Sequence, residues 1–246
     1  MRVDGLTFSI AAHSAWAPGL ATPEAWAAWA EAPVRIGTGA DPAVAAMPPM
    51  LRRRAGFLGK MALEVAYRCL DGRTDIAAVF CSRHGEVSRA VDLLGELSRG
   101  EPMSPTGFGL AVHNASAGLF SIARSDRANH MALSAGAATV EHGVVEACGL
   151  LADGAPMVLL VVYDCALPEA LAHFEDCDEQ PHAWAWLMTA PGVDAISLAC
   201  DGADDELAPS TQPGGLDVLQ FQLSGAARLV RRAGAQRWTW TRDGDA

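Results

Sequence analysis

Nucleophilic catalysis needs a thiolate or an activated hydroxyl within reach of a base, and this sequence offers few places for either. Six cysteines stand at 69, 81, 148, 165, 177 and 200, with no CxxC pair and no Cys/His cluster at metal-ligand spacing. No metal site is expected from that pattern, and no cofactor is implied. Cys148 falls inside a run of helical periodicity and reads as core. The other reactive candidates are Ser82 and His84, in the segment Cys81-Ser82-Arg83-His84-Gly85-Glu86 that follows an apolar run. Spacing alone does not make Ser82 and His84 a nucleophile–base pair, because such a pair is defined by geometry. His84 reads as a loop histidine ordering its turn, at a position where active-site residues also occur. Glu141 and His142 follow a small-residue turn, Ser134-Ala135-Gly136-Ala137-Ala138-Thr139, and read as structural residues more than as a cavity floor. Gly37-Thr38-Gly39 matches no phosphate-binding pattern.

The elements that must position these residues alternate. Leu6–Ile10 reads as a short strand, and Pro23–Ala32 as a helix with Thr22 at its N-cap and Pro23 at its first position. A Pro/Gly-rich loop from Pro33 to Pro49 precedes a helical stretch from Met50 to Cys69. Ile76–Cys81 is a continuous apolar run of the kind seen in buried parallel strands. Glu86–Arg99 is predicted as a helix stopped by Gly100, and Asn114–Ala123 as a small-residue helix. His130–Ser134 reads as a short buried strand, Val140–Ala152 as a helix and Pro156–Tyr163 as the clearest strand. Together these predict a largely parallel α/β sheet. Further on, Ala183–Met188 and Ile196–Cys200 read as strands around a Pro191-Gly192 turn. Asp201–Gly215 reads as an acidic loop or disordered excursion, Leu216–Arg232 as helical, and Arg237–Arg242 as a last strand with Trp238 and Trp240 on one face.

Composition narrows the function. The chain has 246 residues, 18 basic against 29 acidic, for a net charge of −11. A nucleic-acid binder needs clustered Lys and Arg, and the one basic run, Arg52-Arg53-Arg54, is too short to supply them. Hydrophobic residues make up 50% and charged ones 19%, an apolar excess that predicts a buried interface. The seven tryptophans are expected in the core or that interface. The longest apolar run, Met157 to Tyr163, is too short to span a bilayer, and the start carries no signal-peptide h-region. Reduced, mostly buried thiols in a cytoplasmic protein are the expectation.

Several dissimilar motifs occur in one order: Leu51-Arg52-Arg53-Arg54, Lys60-Met61-Ala62, Ser82-Arg83-His84-Gly85-Glu86, Ser104-Pro105-Thr106, and Val112-His113-Asn114 followed by Ala117-Gly118. In this the chain, from about Met1 to Pro168, resembles β-ketoacyl synthases of the thiolase-like fold. It resembles most a short group encoded beside true synthases in aryl polyene pathways and similar to chain length factors of aromatic polyketide systems. The resemblance implies an α/β, thiolase-like fold truncated to roughly its N-terminal half. It treats 1–246 as a single domain, with 180–246 a weakly matching C-terminal extension. It also implies a cysteine nucleophile at the turn after the third strand. Counting without a gap from Asn114, that position falls on Ala137, or on Gly136 if the loop is one residue shorter. No cysteine occurs between Cys81 and Cys148, so no shift of register restores one. The two histidine segments of the second half of such synthases are also missing, and His173 and His182 lie in no such context; the machinery would stabilise developing charge at the carbonyl oxygen.

The resemblance therefore implies a non-catalytic subunit, inactive alone, that pairs with a full-length β-ketoacyl-ACP synthase. The strand at about Asn129–Ser134 would meet its counterpart across the dimer. Gly107, Phe108, Leu110, Asn114, Met131, Leu133, Ser134, Gly136, Ala137 and Thr139 are the candidates for the interface and acyl-tunnel wall. An acyl carrier protein would dock on the complex, on the synthase side given the −11 charge here. Two alternatives stay open: a stand-alone thioesterase or acyltransferase using Ser82 or Cys148, with His84 at hand, and a homodimeric acyl-binding scaffold.

Overall fold

The computed structural model describes residues 3–202 and 207–242, with side chains described from Gly5 onwards. Strands β1 (Val3–Trp16), β2 (Ala77–Cys81), β3 (His130–Leu133), β4 (Val158–Asp164), β5 (His182–Thr189), β6 (Ile196–Asp201), β7 (Arg228–Ala233) and β8 (Gln236–Arg242) form one eight-stranded sheet in the order β3-β2-β4-β5-β1-β6-β8-β7. The helices are α1 (Pro23–Glu31), α2 (Pro49–Arg52), α3 (Phe57–Leu70), α4 (Val87–Ser98), α5 (Pro105–Gly109), α6 (Ala115–Arg124), α7 (Thr139–Ala152) and α8 (Gly214–Ser224). None of the helices among the described residues is long and apolar enough to cross a membrane.

Strand periodicity sorts the core into two layers. In β4, Val158, Leu160 and Val162 join Trp184, Trp186 and Met188 of β5 beneath α1, α7 and α8. The alternate residues Leu159, Val161 and Tyr163 join Ala183, Ala185 and Leu187 against α3 and α6. Both faces of these strands are buried, which explains their unbroken apolar composition. Tryptophans dominate the first layer. Trp184 and Trp186 have ring centroids 4.5 Å apart, and Trp186 meets Trp240 edge-on. The expected α1 forms as read, with Thr22 Oγ1 accepting from Ala25 N at 3.3 Å.

Four expectations are corrected. Only the β2–β3 and β2–β4 pairings are parallel; the rest of the sheet is antiparallel, so it is mixed and not largely parallel. The chain between β4 and β5 contains no crossover α-helix, so β5 returns antiparallel. The first strand runs to Trp16 because it pairs with β5 along its second half and β6 along its first. The helix predicted over Met50–Cys69 is interrupted, with α2 ending at Arg52 and α3 starting after Gly56. The helix predicted over Leu216–Arg232 ends at Ser224, where Gly225 adopts φ +66°, and the remainder turns back as β7. Of the loop predicted over 201–215, residues 203–206 lie outside the described residues.

Candidate functional site

The carboxyl ends of the three parallel strands converge, the usual location for a site in an α/β sheet. From β2 the chain runs into Ser82-Arg83-His84-Gly85. Ser82 Oγ donates to Asp164 Oδ1 at the end of β4 (2.9 Å) and accepts from Gly85 N (2.8 Å), while Arg83 N donates to the same Asp164 oxygen (2.8 Å). Gly85 has φ +57°, and a Cβ there would strike the His113 ring. The His113 ring in turn bonds the Ser82 carbonyl through Nε2 at 2.9 Å. Ser82 is thus buried and engaged with a carboxylate, while the neighbouring histidines are engaged elsewhere. His84 Nε2 lies 3.4 Å from Glu179 Oε1. No imidazole hydrogen-bonds the Ser82 hydroxyl, so the Ser82–His84 pairing lacks the geometry of a nucleophile and base.

Arg83 is the centre of a charged knot. Its Nη1 donates to Glu179 Oε1 (2.5 Å) and to Cys177 Sγ (3.0 Å), and its Nη2 donates to Asp176 Oδ1 (2.5 Å). Donor atoms of Asp176, Cys177 and Glu179 all come within 4.8 Å of one another, a grouping that could hold a cation. In the structure the Arg83 guanidinium is the cation this grouping holds, and burial together with Glu179 pushes the Cys177 thiol up to about 12. Asp164 is fully enclosed. Burial, and then repulsion from Glu179, raises its carboxyl from the ordinary value to about 7, against the lowering pull of its two hydrogen bonds.

From β3 the chain enters the small-residue turn. Ser134 Oγ donates to the Arg83 carbonyl (2.8 Å), Gly136 takes φ +57°, and residues 136–138 make one 3-10 turn into α7. Thr139 Oγ1 fixes the turn by donating to Gly136 O (2.7 Å) and accepting from Ala135 N (3.0 Å). β3 thus passes into α7 through one tight turn that holds Gly136 and Ala137. A methyl group or a hydrogen can neither attack a thioester nor be activated to do so. Cys148 lies eleven residues after Ala137, well inside α7, and burial raises its thiol to about 11.

Behind the turn, Arg231 of β7 reaches back to the Ala137 carbonyl (3.4 Å from Nη1 and Nη2) and pairs with the fully buried Glu141 (2.5 Å). His142 stacks edge-on against Trp238 and bonds the Ala138 carbonyl, so both residues are structural. Beside Ala137 lies a cleft of about 350 Å³ whose lining includes Arg83, Ser210 and Arg231.

The interface and tunnel candidates fall into two groups. Met131 and Leu133 lie half-buried on β3, whose outer side has no partner strand among the described residues. Ser134, Gly136, Ala137 and Thr139 continue directly from it. Gly107, Phe108 and Leu110 sit in or just after α5, which packs on α4 with Gly107 against Leu93. Phe108 is 62% exposed, and Leu94, Leu97, Met103 and Val112 are exposed as well. Asn114 opens α6 without a side-chain cap and follows His113, which ties this stretch to the end of β2. Sequence reasoning missed Asp164, Asp176, Glu179 and Arg231. Only Asp164 had a local signal, a carboxylate closing the strongest apolar strand.

The family model for the β-ketoacyl synthase N-terminal domain matches residues 26–241. Among solved structures, the chain superposes with a TM-score of 0.86 on a chain of the complex of the ketosynthase ApeO with its chain length factor ApeC from Xenorhabdus doucetiae. There the identity is 28%, covering 96% of this chain and 100% of that one. The ishigamide ketosynthase/chain length factor matches at TM-score 0.56 and 16% identity over 89% of this chain and 70% of that one. A β-ketoacyl synthase from Burkholderia phymatum matches at 0.56 and 12% over 89% and 71%; these two likenesses speak for the fold alone. No curated protein matches the sequence. The mixed sheet, the strand-to-helix turn and the match across most of its length place this chain in the β-ketoacyl synthase N-terminal domain family, with a thiolase-like ketosynthase fold.

Proposed function

We propose that this chain is the non-catalytic, chain-length-factor-type partner of a β-ketoacyl-ACP synthase, and that it forms part of the acyl tunnel in aryl polyene or related polyketide synthesis. The observation that carries this reading is the turn itself. It is a tight strand-to-helix turn carrying Gly136 and Ala137, where the resemblance puts the family's nucleophile, and the strand leading into it has no outer partner among the described residues. The likeness to a structure of a ketosynthase with its chain length factor supports it. The partner supplies the cysteine and histidines, and this chain adds its β3 edge and the exposed apolar side chains of α4 and α5. An apolar acyl chain grows until it meets the end of the apolar wall, because further extension no longer buries surface. The acyl carrier protein docks on the synthase side of the complex, in the cytoplasm.

The stand-alone enzyme reading has no nucleophile to use, since Ser82 is held by Asp164 and Cys148 is a buried, strongly protonated thiol. Co-expression with the synthase encoded beside it tests the proposal. We expect a one-to-one complex by mass, condensing activity only with both chains present, and no change in rate for Cys148→Ala. A chain that remains alone or as a homodimer beside its synthase, or that cleaves acyl thioesters unaided, overturns it.

A further inference from the structure

We propose that the buried carboxyl of Asp164 is the proton-sensing end of a relay that sets the position of the turn after β3, which makes the open edge of the sheet pH-sensitive. The consequence for assembly rests on the subunit role proposed above, whereas the relay itself is a property of the single chain. Each link is a hydrogen bond between separate parts of the sequence. Asp164 Oδ1, at the end of β4, accepts from Ser82 Oγ (2.9 Å) and from Arg83 N (2.8 Å). The same segment reaches the end of β3: Arg83 O accepts from Ser134 Oγ (2.8 Å), and Leu133 O accepts from Ser82 N (3.2 Å). Ser134 leads into the turn, which Thr139 Oγ1 closes through Ala135 N and Gly136 O. β3 has four residues and one partner strand among the described residues, so few other backbone bonds hold its end in place.

The surroundings of Asp164 make a proton matter there. The Arg83 guanidinium gives its bonds to Glu179, Cys177 and Asp176 and none to Asp164. Both Asp164 and Glu179 are buried, so an ionised Asp164 stands in the interior near a second carboxylate with no guanidinium bond of its own. The groups facing it are Arg83 and Cys81 from the β2 segment, Glu179 and His182 at the start of β5, and its neighbours Tyr163 and Cys165. Burial raises the two thiols and the phenol and lowers the His182 imidazole, so these four stay uncharged near neutrality. The Asp164 carboxyl, held near 7, changes charge there. Ionisation turns the bonds from Ser82 and Arg83 N into charge-assisted ones, which are shorter. The Arg83 backbone is then drawn towards β4, and Ser134 follows through the Arg83 carbonyl.

NMR of the isolated full chain tests the relay. It follows Asp164 Cγ, Cε1 of His84 and His113, and the amides of Arg83 and Ala135 from about pH 5 to 9. The two imidazoles are the competing titrants, since His84 Nε2 lies 3.4 Å from Glu179 Oε1 and His113 bonds the Ser82 carbonyl. We expect both amides to shift with the Asp164 midpoint and with neither histidine's. Ser134→Ala, at an exposed position, should leave the Arg83 response intact and remove most of that of Ala135. An Asp164 midpoint in the ordinary carboxyl range, an Ala135 shift that follows a histidine, or an Ala135 response unchanged in Ser134→Ala each overturns the relay. Affinity for the synthase, measured across the same pH range, should change through the Asp164 midpoint in wild type and far less in Ser134→Ala. Equal pH dependence in the two chains overturns the regulatory consequence. If no complex forms at all, the subunit role fails, and the titration of the isolated chain still decides the relay.

Discussion

The two outer strands of the sheet face the same physical problem and solve it differently. An edge strand presents unpaired N–H and C=O groups that invite another strand, and proteins commonly block this with charge. At one end, β7 reads Arg228-Leu229-Val230-Arg231-Arg232-Ala233, with three arginines in six residues. Arg231 turns inward to Glu141, which pins the strand to α7 and makes any slip costly, since a one-residue shift would expose that pair. At the other end, β3 reads His130-Met131-Ala132-Leu133, with no Lys, Arg, Asp, Glu or Pro and with half-buried apolar side chains. One edge is guarded and the other is left ready for pairing. The open edge also runs straight into the turn that holds Gly136 and Ala137. The open edge and the small-residue turn therefore lie at the same end of the molecule.

The guarded edge should break most severely. Glu141→Ala strips the buried Arg231 guanidinium of its closest carboxylate, and removing one member of a buried pair costs about 3–5 kcal/mol. Asp217 Oδ2, 3.5 Å from Arg231 Nε, offsets part of this, so the lower end of that range is expected. Arg228→Ala, on the same strand but exposed, should stay within about 0.5 kcal/mol. Urea unfolding of the two variants reads the contrast, and equal losses would mean that the pair does not anchor the edge.

Next in size is a pH effect at the end of β4. The Asp164 carboxyl is held near 7 in the folded chain against an ordinary value of 3.8. Between those values the folded state keeps a proton that the unfolded state has released, so stability falls as pH rises across that window. The slope contributed by this one group approaches about 1.4 kcal/mol per pH unit. Asp164→Asn keeps the amide oxygen for Ser82 and Arg83 N while removing the titration. Its unfolding free energy should be flatter than wild type between about pH 4 and 7; parallel curves would show that Asp164 is not the group responsible.

The sequence makes the parallel end of the fold legible and the antiparallel end much less so. Thr22-Pro23 announces α1, Gly100 marks the stop after α4, and the apolar runs at 76–81 and 156–163 are strands because both faces are buried. Each signal is local. β1 was undersized because Ala11-Ala12-His13-Ser14-Ala15 has little strand propensity of its own, and pairing with β5 holds it extended. Leu216, Leu219, Leu229 and Val230 sustain a helical spacing past Ser224, and only Gly225 and the tertiary ladder with β8 turn the chain into β7. The lack of any cysteine between Cys81 and Cys148 is legible, being a statement about residue types along the chain. The knot of Arg83, Asp176 and Glu179 was not, because 93 residues separate Arg83 from Asp176 and 96 separate it from Glu179.

The open edge gives the subtlest test, because it should alter association while leaving the fold nearly intact. In the parallel ladder Ala78 N bonds Asn129 O and Ser82 N bonds Leu133 O. With Phe80 opposite Ala132 in register, the alternation directs the N–H groups of Met131 and Leu133 towards β2 and that of Ala132 outwards. Ala132→Pro therefore removes a donor the monomer does not use, at an edge position where proline is tolerated. Thermal unfolding of the chain alone should move little. Association with the synthase should weaken by about 1–3 kcal/mol, roughly 5- to 150-fold, for one buried hydrogen bond lost with its partner carbonyl left unsatisfied. Met131→Pro is the matching control: it removes a donor used within the sheet and should lower the stability of the isolated chain. If Ala132→Pro binds the synthase as well as wild type does, β3 is not the contact strand and the contrast between the two edges loses its functional meaning. If both prolines destabilise the isolated chain equally, the outward direction of the Ala132 N–H is wrong.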